Sequence, residues 1–221
     1  MASVGAVIVA AGAGVRMGGA DKLFTRIGGR SLLAHAVAAF DECASVDRIV
    51  LVASPQNIAE MRAMLTAESF AKVAGVCTGG ARRQDSVFCG LKQLGPCDWV
   101  AVHDGGRPLL KHALITRGLR AAAETGAAVP VIPLADTVKE IAADGTIVRT
   151  LDRESLRGVQ TPQVFRYDLL LRAHQQVSED VTDDAAMLER LGVAVRTFEG
   201  DPRNIKITTA QDLLLAEAYL Q

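Results

Sequence analysis

The feature that most constrains this chain is an alternation of short β-branched apolar runs with segments of helical period. The first run, Val4–Ala10, contains no polar side chain, the pattern of a strand buried on both faces. Ser31 is placed to cap a helix over 32–40, whose apolar residues share one face. Strand patterns return at Arg48–Ala53, 72–77, 98–103 and Ala127–Pro133, interleaved with helical patterns near 56–65, 85–94 and 112–124. This order predicts an α/β fold: a Rossmann-like, mostly parallel sheet flanked by helices on both faces.

After residue 133 the alternation breaks. Segments 137–141 and 146–151 flank Asp144-Gly145, a hairpin turn signal. A hairpin leaving a parallel sheet has edges to cover, so an arm over about 136–156 is expected to embrace a second copy and give a homodimer. Helical patterns follow at 167–176 and 183–191, and Thr209-Ala-Gln-Asp212 opens a closing helix. With 221 residues and no repeat, linker or low-complexity segment, residues 1–221 are expected to form one domain.

A formal charge of −1 gives no global attraction to nucleic acid or to an acidic membrane. No apolar stretch approaches the roughly 20 residues of a membrane span. The apolar N-terminus lacks a basic leader region, so a strand is expected there and not a signal peptide. Four cysteines form no C-x-x-C pair and no metal-ligand spacing with the four histidines. A reduced, cytoplasmic setting is expected.

The stretch Ala10-Ala-Gly-Ala-Gly-Val-Arg-Met-Gly18 follows the first strand directly, with Lys22 four residues beyond. Glycines at 12 and 14 let backbone amides approach a phosphate chain closely. In an open parallel sheet, ligands bind beyond the carboxyl ends of the strands, where this loop falls. The dinucleotide fingerprint fails because Met17 stands where its third glycine belongs. A Walker A loop starting at Gly14 fails because Ala20 replaces the lysine. What remains is a glycine loop with two cations, Arg16 and Lys22, placed to grip a triphosphate; the plainer alternative is a tight turn with solvated charges.

This loop resembles that of the nucleotidyltransferases that activate sugars and alcohols as nucleoside diphosphates. Further segments narrow the resemblance to the 2-C-methyl-D-erythritol 4-phosphate cytidylyltransferase family. They are Gly79-Gly80 with Arg83-Gln-Asp-Ser-Val87, Val102-His-Asp-Gly-Gly-Arg-Pro108, Asp136-Thr-Val-Lys139, Asp152-Arg153, Thr161-Pro-Gln-Val-Phe165, Thr182-Asp-Asp184 and Asn204-Ile-Lys-Ile-Thr208. The family often has Pro-Lys-Gln at 21–23 and Ala-Ala at 105–106, where this chain has Asp21-Lys22-Leu23 and Gly105-Gly106.

The resemblance implies attack by an acceptor phosphate on the α-phosphorus of CTP, with Mg²⁺ held mainly through the CTP phosphates and no dedicated metal ligands. The nucleophile is already anionic, so such a reaction needs positioning and charge neutralisation more than a general base. Arg16 and Lys22 are then the transition-state stabilisers, and Arg153 and Lys206 the clamp on the acceptor phosphate. Ala11, Gly12, Ala13, Gly14, Gly80 and Gly105 would surround the nucleotide with Asp85 and Ser86, although Ser86 could instead cap a helix. Asp104 could meet Mg²⁺ or the acceptor's hydroxyls, the resemblance favouring the latter. Arg107, Thr137 and Thr161 complete the acceptor side, Thr137 by reaching the neighbouring subunit's site. His103 is expected to be structural, because the chemistry offers it no proton to move. Thr182 is expected to cap a helix whose first turn holds Asp183 and Asp184, in preference to a metal pair. Two rival functions remain: the same chemistry on another polyol phosphate such as ribitol 5-phosphate, and a silent nucleotide-binding module that regulates a partner.

Overall fold

The computed structural model describes residues 2–12, 16–17 and 20–220, with the backbone alone at 16, 17 and 20. Strand β1 (Val4–Ala10) matches its sequence pattern residue for residue. Two small hairpins follow, β2 (Arg16–Met17) with β3 (Ala20–Asp21) and β4 (Arg26–Ile27) with β5 (Arg30–Ser31). Ser31 caps α1 (Leu32–Asp41) by accepting from the Ala34 N–H at 3.2 Å. The alternation then runs β6 (Arg48–Ala53), α2 (Ile58–Glu68), β7 (Val73–Thr78), α3 (Arg83–Leu94), β8 (Trp99–Asp104), α4 (His112–Thr125) and β9 (Ala127–Pro133).

Beyond β9 lie a hairpin of β10 (Lys139–Ile141) and β11 (Ile147–Thr150), then β12 (Arg157–Val159), β13 (Gln163–Arg166), α5 (Tyr167–Gln176), α6 (Asp184–Arg190), β14 (Arg196–Glu199) and α7 (Ala210–Leu220). The main sheet is ordered β12-β9-β13-β8-β1-β6-β7, with β14 also on β9. Strands β8, β1, β6 and β7 pair in parallel. Strand β13 is wedged antiparallel between β8 and β9, and β12 also runs antiparallel to β9. The sheet is therefore mostly parallel but mixed.

Period-two alternation explains the layers. From β1 and β6, Ala6, Ile8, Ile49 and Leu51 pack with α1 and α4 residues such as Phe40, Leu114 and Ile115. Val7, Val50 and Val52 face the other way, onto Val87 and Leu91 of α3 and Leu170 of α5. Gly90 lets α3 lie close on the sheet, since a Cβ there would stand 2.4 Å from Val7 Cγ1. No helix among the described residues is long and apolar enough to cross a membrane.

The hairpin at 139–150 forms its own two-stranded sheet. Its apolar side chains lie open: Ile141 is 61% exposed, Ile147 62% and Val148 58%. Among the described residues of a single copy, nothing covers these side chains.

Candidate active site

The carboxyl ends of β1 and β8, the loop after β7 and the segment before α7 surround a cavity of about 440 Å³. That is the size of a small-molecule site. Ala11, Gly12, Lys22, Gly80, Ser86, Asp104 and Lys206 line it. A second cavity of about 300 Å³ adjoins it and takes in Arg107, Thr161 and Asp183. Arg83, Asp104 and Lys206 border both.

The nucleotide side is built from close backbone approach. A Cβ at Gly12 would meet nothing within 4 Å among the described residues, and Gly12 lines the larger cavity. Gly79 is different: a Cβ there would stand 2.5 Å from Ser86 Oγ and 2.6 Å from the Ala11 methyl. Only glycine lets the loop after β7 come this near the end of β1. Ser86 Oγ accepts from the Gly80 N–H at 3.2 Å and lies 3.2 Å from the Arg82 carbonyl. It therefore shapes the Gly80 loop while bordering the cavity.

Asp85 takes a different position from its neighbours. It sits in the first turn of α3, accepting from the Arg82 backbone and guanidinium, and does not line either cavity. Gly105 lies behind the wall, donating its N–H to Val9 O at 2.9 Å. Ala13, Gly14 and the side chain of Arg16 lie outside the described residues.

Lys22 opens a 3-10 turn that Asp21 caps through the Leu23 N–H at 3.1 Å. Buried Asn57 fastens this turn to the sheet, donating to Asp21 Oδ2 and to Ala10 O, both at 3.0 Å. Burial and the neighbouring charge of Lys206 hold the Lys22 ammonium below the ordinary lysine value, with Asp21 and Asp212 opposing. Two ammonium groups that repel each other across a cleft form a site that an anion relieves.

Asp104 ends β8 with its side chain 13% exposed. Lys206 Nζ lies 2.9 Å from Oδ2, Arg83 Nε 3.3 Å from Oδ1, and Arg107 Nε 4.0 Å from Oδ2. Burial alone would push this carboxyl up, but Arg83, Lys206 and Arg107 outweigh it and hold it well below the usual carboxylate range. The Asp104 N–H donates to Thr161 Oγ1 at 3.1 Å. Lys206 is held in place by the strap 204–207: Asn204 Nδ2 donates to Thr161 O at 2.7 Å, Asn204 O accepts from Arg107 Nη1 at 2.7 Å, and the Ile207 N–H donates to Gly106 O at 2.8 Å.

His103 is fully buried, with Nδ1 3.0 Å from Thr161 Oγ1 and Nε2 3.2 Å from Arg107 O. Because the Arg107 carbonyl can only accept, Nε2 carries the proton of the neutral ring, and Thr161 Oγ1 therefore donates to Nδ1. Burial lowers this imidazole to about 4. The unfolded chain takes up its proton near about 6.5, so between those values the unfolded state binds more protons and stability falls as pH falls. Urea unfolding across that window is expected to lose about 1.4 kcal/mol per pH unit from this residue. A His103→Gln variant should show a slope shallower by that amount, and an unchanged slope would assign the acid sensitivity elsewhere.

Two residues expected at the site lie apart from it within one copy. Thr137 precedes the arm, and Arg153 follows it in a short 3-10 turn, donating to Ala135 O at 2.6 Å. Neither lines either cavity. The helix cap at 183 also differs from expectation: Asp183, not Thr182, caps α6 by accepting from the Ala186 N–H at 3.0 Å.

Sequence reasoning missed the roles of Arg83 and Asp184. Arg83 Nη1 reaches Asp184 Oδ2 at 2.7 Å while its Nε reaches Asp104. One signal was present: a cation at the first residue of a helix opposes the helix dipole and therefore calls for a partner from elsewhere.

Fold and site together define a nucleotidyltransferase: a mostly parallel sheet whose carboxyl edge carries a glycine-lined, cation-rich cleft. The family model for 2-C-methyl-D-erythritol 4-phosphate cytidylyltransferase matches residues 4–221, and the chain belongs to that family. A protein of that name from Dehalococcoides mccartyi is 49% identical over 218 residues, covering 99% of this chain and 96% of its own. The solved 4-diphosphocytidyl-2C-methyl-D-erythritol synthase of Anaerococcus prevotii superposes with a TM-score of 0.87 at 30% identity, covering 100% of this chain and 96% of that one. The solved 2-C-methyl-D-erythritol 4-phosphate cytidylyltransferase of Thermus thermophilus gives 0.77 at 34% identity, covering 97% of each.

Proposed function

We propose that this protein transfers CMP from CTP to 2-C-methyl-D-erythritol 4-phosphate in isoprenoid precursor synthesis, in the cytoplasm. The observation that carries the reading is the pair of adjoining cavities with Asp104 and Lys206 at their common border. A nucleotide in the larger cavity and a phosphorylated polyol in the smaller would meet there. An oxygen of the acceptor phosphate attacks the α-phosphorus, the bond to the bridging oxygen breaks, and pyrophosphate leaves. The product is 4-diphosphocytidyl-2-C-methylerythritol.

The backbone at Ala11, Gly12 and Gly80 receives the nucleoside. Lys22, with Arg16, meets the charge that grows around the α-phosphorus. Asp104, held ionised, accepts from the acceptor's hydroxyls, and Lys206 meets its phosphate. Mg²⁺ when bound neutralises the triphosphate and orders its oxygens. Asp104 is the one carboxylate lining the larger cavity among the described residues, and Lys206 and Arg83 already engage it. The fit is therefore to an ion carried on the nucleotide, not to one caged by protein carboxylates.

The exposed arm supports a homodimer in which Thr137 and Arg153 of one copy complete the acceptor site of the other. Pyrophosphate release with CTP and Mg²⁺ tests the reading. Turnover with methylerythritol phosphate and not with ribitol 5-phosphate is expected. The reverse preference would keep the chemistry and overturn the acceptor, and CTP binding without any turnover would favour a regulatory module.

A further inference from the structure

We propose that Arg83 is the positioning residue of the acceptor site: it holds the Asp104 carboxylate in one orientation by bridging it to the buried Asp184, with His174 behind. The inference rests on the reading above, in which Asp104 receives the acceptor's hydroxyls.

The geometry is a chain of charges running from the core to the cleft. His174, 2% exposed, stacks on Phe88 with ring centroids 5.7 Å apart and planes 9° from parallel. Its Nε2 lies 3.4 Å from Asp184 Oδ1 without hydrogen-bond geometry. Asp184, fully buried, takes Arg83 Nη1 on its other oxygen at 2.7 Å. Arg83 Nε then lies 3.3 Å from Asp104 Oδ1, while Lys206 holds Oδ2.

A guanidinium can serve two carboxylates at once because its donors spread in a rigid fork. A lysine ammonium in the same place is a point charge on a flexible stem. Asp184 does not line either cavity, so any effect it has on substrate must pass through Arg83. Burying a carboxylate without a partner is costly. Asp184 therefore fixes Arg83, and Arg83 fixes Asp104. Arg83 Nη2 is also buried without a partner among the described residues, so the guanidinium has no alternative anchor on that side.

Lys206 is 46% exposed and can swing toward an entering phosphate. Without Arg83, Asp104 would follow Lys206, because this ammonium is its shortest contact. The acceptor would then find its hydroxyl partner displaced. A displacement of about 1 Å near reacting groups can cost up to roughly 100-fold.

The test uses the full chain with three single variants, Arg83→Gln, Arg83→Lys and Asp184→Asn, and one double variant, each with KM for the acceptor, KM for CTP, kcat and Tm. Arg83→Gln and Asp184→Asn are expected to raise the acceptor KM about 10–100-fold with CTP KM changed less than about threefold. Arg83→Lys should recover only part of the loss, because one ammonium cannot span both carboxylates. The double variant Arg83→Lys with Asp184→Asn should be no worse for the acceptor than the poorer single variant.

If Arg83→Gln does not fold, the lysine and asparagine variants carry the test. A KM rise shared equally by CTP and acceptor, or additive effects in the double variant, would overturn the proposal and leave Arg83 a general structural group. A readout free of substrate separates this from the assignment of the reaction: the ¹³C carboxyl signal of Asp104 in the ligand-free protein should titrate at higher pH in Arg83→Gln than in the native chain. An unshifted titration would sink the positioning role even if the enzyme turns over as proposed. Failure of the native chain to use the polyol phosphate, with that titration shifted, would overturn the acceptor and keep the Arg83–Asp104 coupling.

Discussion

Lys22→Ala is expected to lower turnover by roughly 10²–10³ while leaving the fold intact. The loss comes from one cation aimed at charge that appears only as the α-phosphorus is attacked, so it falls on kcat more than on KM. The site supports that division. Lys22 is held partly buried beside Lys206, and burial and that neighbouring charge lower the tendency of Lys22 to stay charged until an anion arrives. The triphosphate relieves that repulsion in the ground state, and the charge developing in the transition state relieves it further. Lys22 makes no ion pair among the described residues that folding depends on, so its removal should change stability by no more than about 0.5 kcal/mol. Single-turnover kinetics with saturating CTP are the check. Native kcat with a raised CTP KM would reassign Lys22 to ground-state binding.

The second large effect concerns two copies. Arg153→Ala and Lys22→Ala should each be nearly inactive alone, yet a mixture unfolded and refolded together should regain about one quarter of the native activity. In random assembly about half of the dimers are mixed, and each mixed dimer holds one site with both defects and one with neither. This arithmetic holds only if the arm crosses to the other copy. The arm's exposed Ile141, Ile147 and Val148, and the absence of Arg153 and Thr137 from the lining of both cavities, are what motivate it. Mixtures no more active than their components would place Arg153 in its own chain's chemistry or outside the reaction. A monomeric mass at micromolar concentration would count against the dimer directly.

Most of the fold was legible because its signals are local. Val4–Ala10, Ala127–Pro133 and, past its leading arginine, Arg48–Ala53 are apolar on both faces and needed no tertiary context. The Asp144-Gly145 turn marked the arm, with Gly145 at φ 87°. The strands that escaped are short and carried by neighbours. Gln163–Arg166 is four residues long and becomes a strand because β8 and β9 offer it edges on both sides. Arg196–Glu199 shows no apolar run, and its pairing with β9 supplies what its composition does not.

The site divides along the same line. The glycine loop announced itself through glycine spacing and cations just beyond a strand. Arg83 and Asp184 did not, because their meaning is the 101 residues of chain that separate them and the 2.7 Å that joins them. Family resemblance named Arg153 and Lys206 from among 24 basic residues; charge patterning alone offered no reason to prefer them. The position of Lys206 beside Asp104 gives it a physical role, whereas nothing within one copy gives Arg153 a place in either cavity.

The strap at 204–207 has a consequence for how the protein comes into being. It is laid across Gly106, Arg107 and Thr161 by hydrogen bonds from a segment synthesised after all of them. On the ribosome, the glycine-loop strand at 4–10 emerges long before the strap at 204–207. The growing polypeptide can order its sheet and still lack an acceptor pocket, because Lys206 has not arrived to face Asp104. An acceptor pocket in which Lys206 faces Asp104 is therefore expected only after residue 207 has been made and the strap has docked.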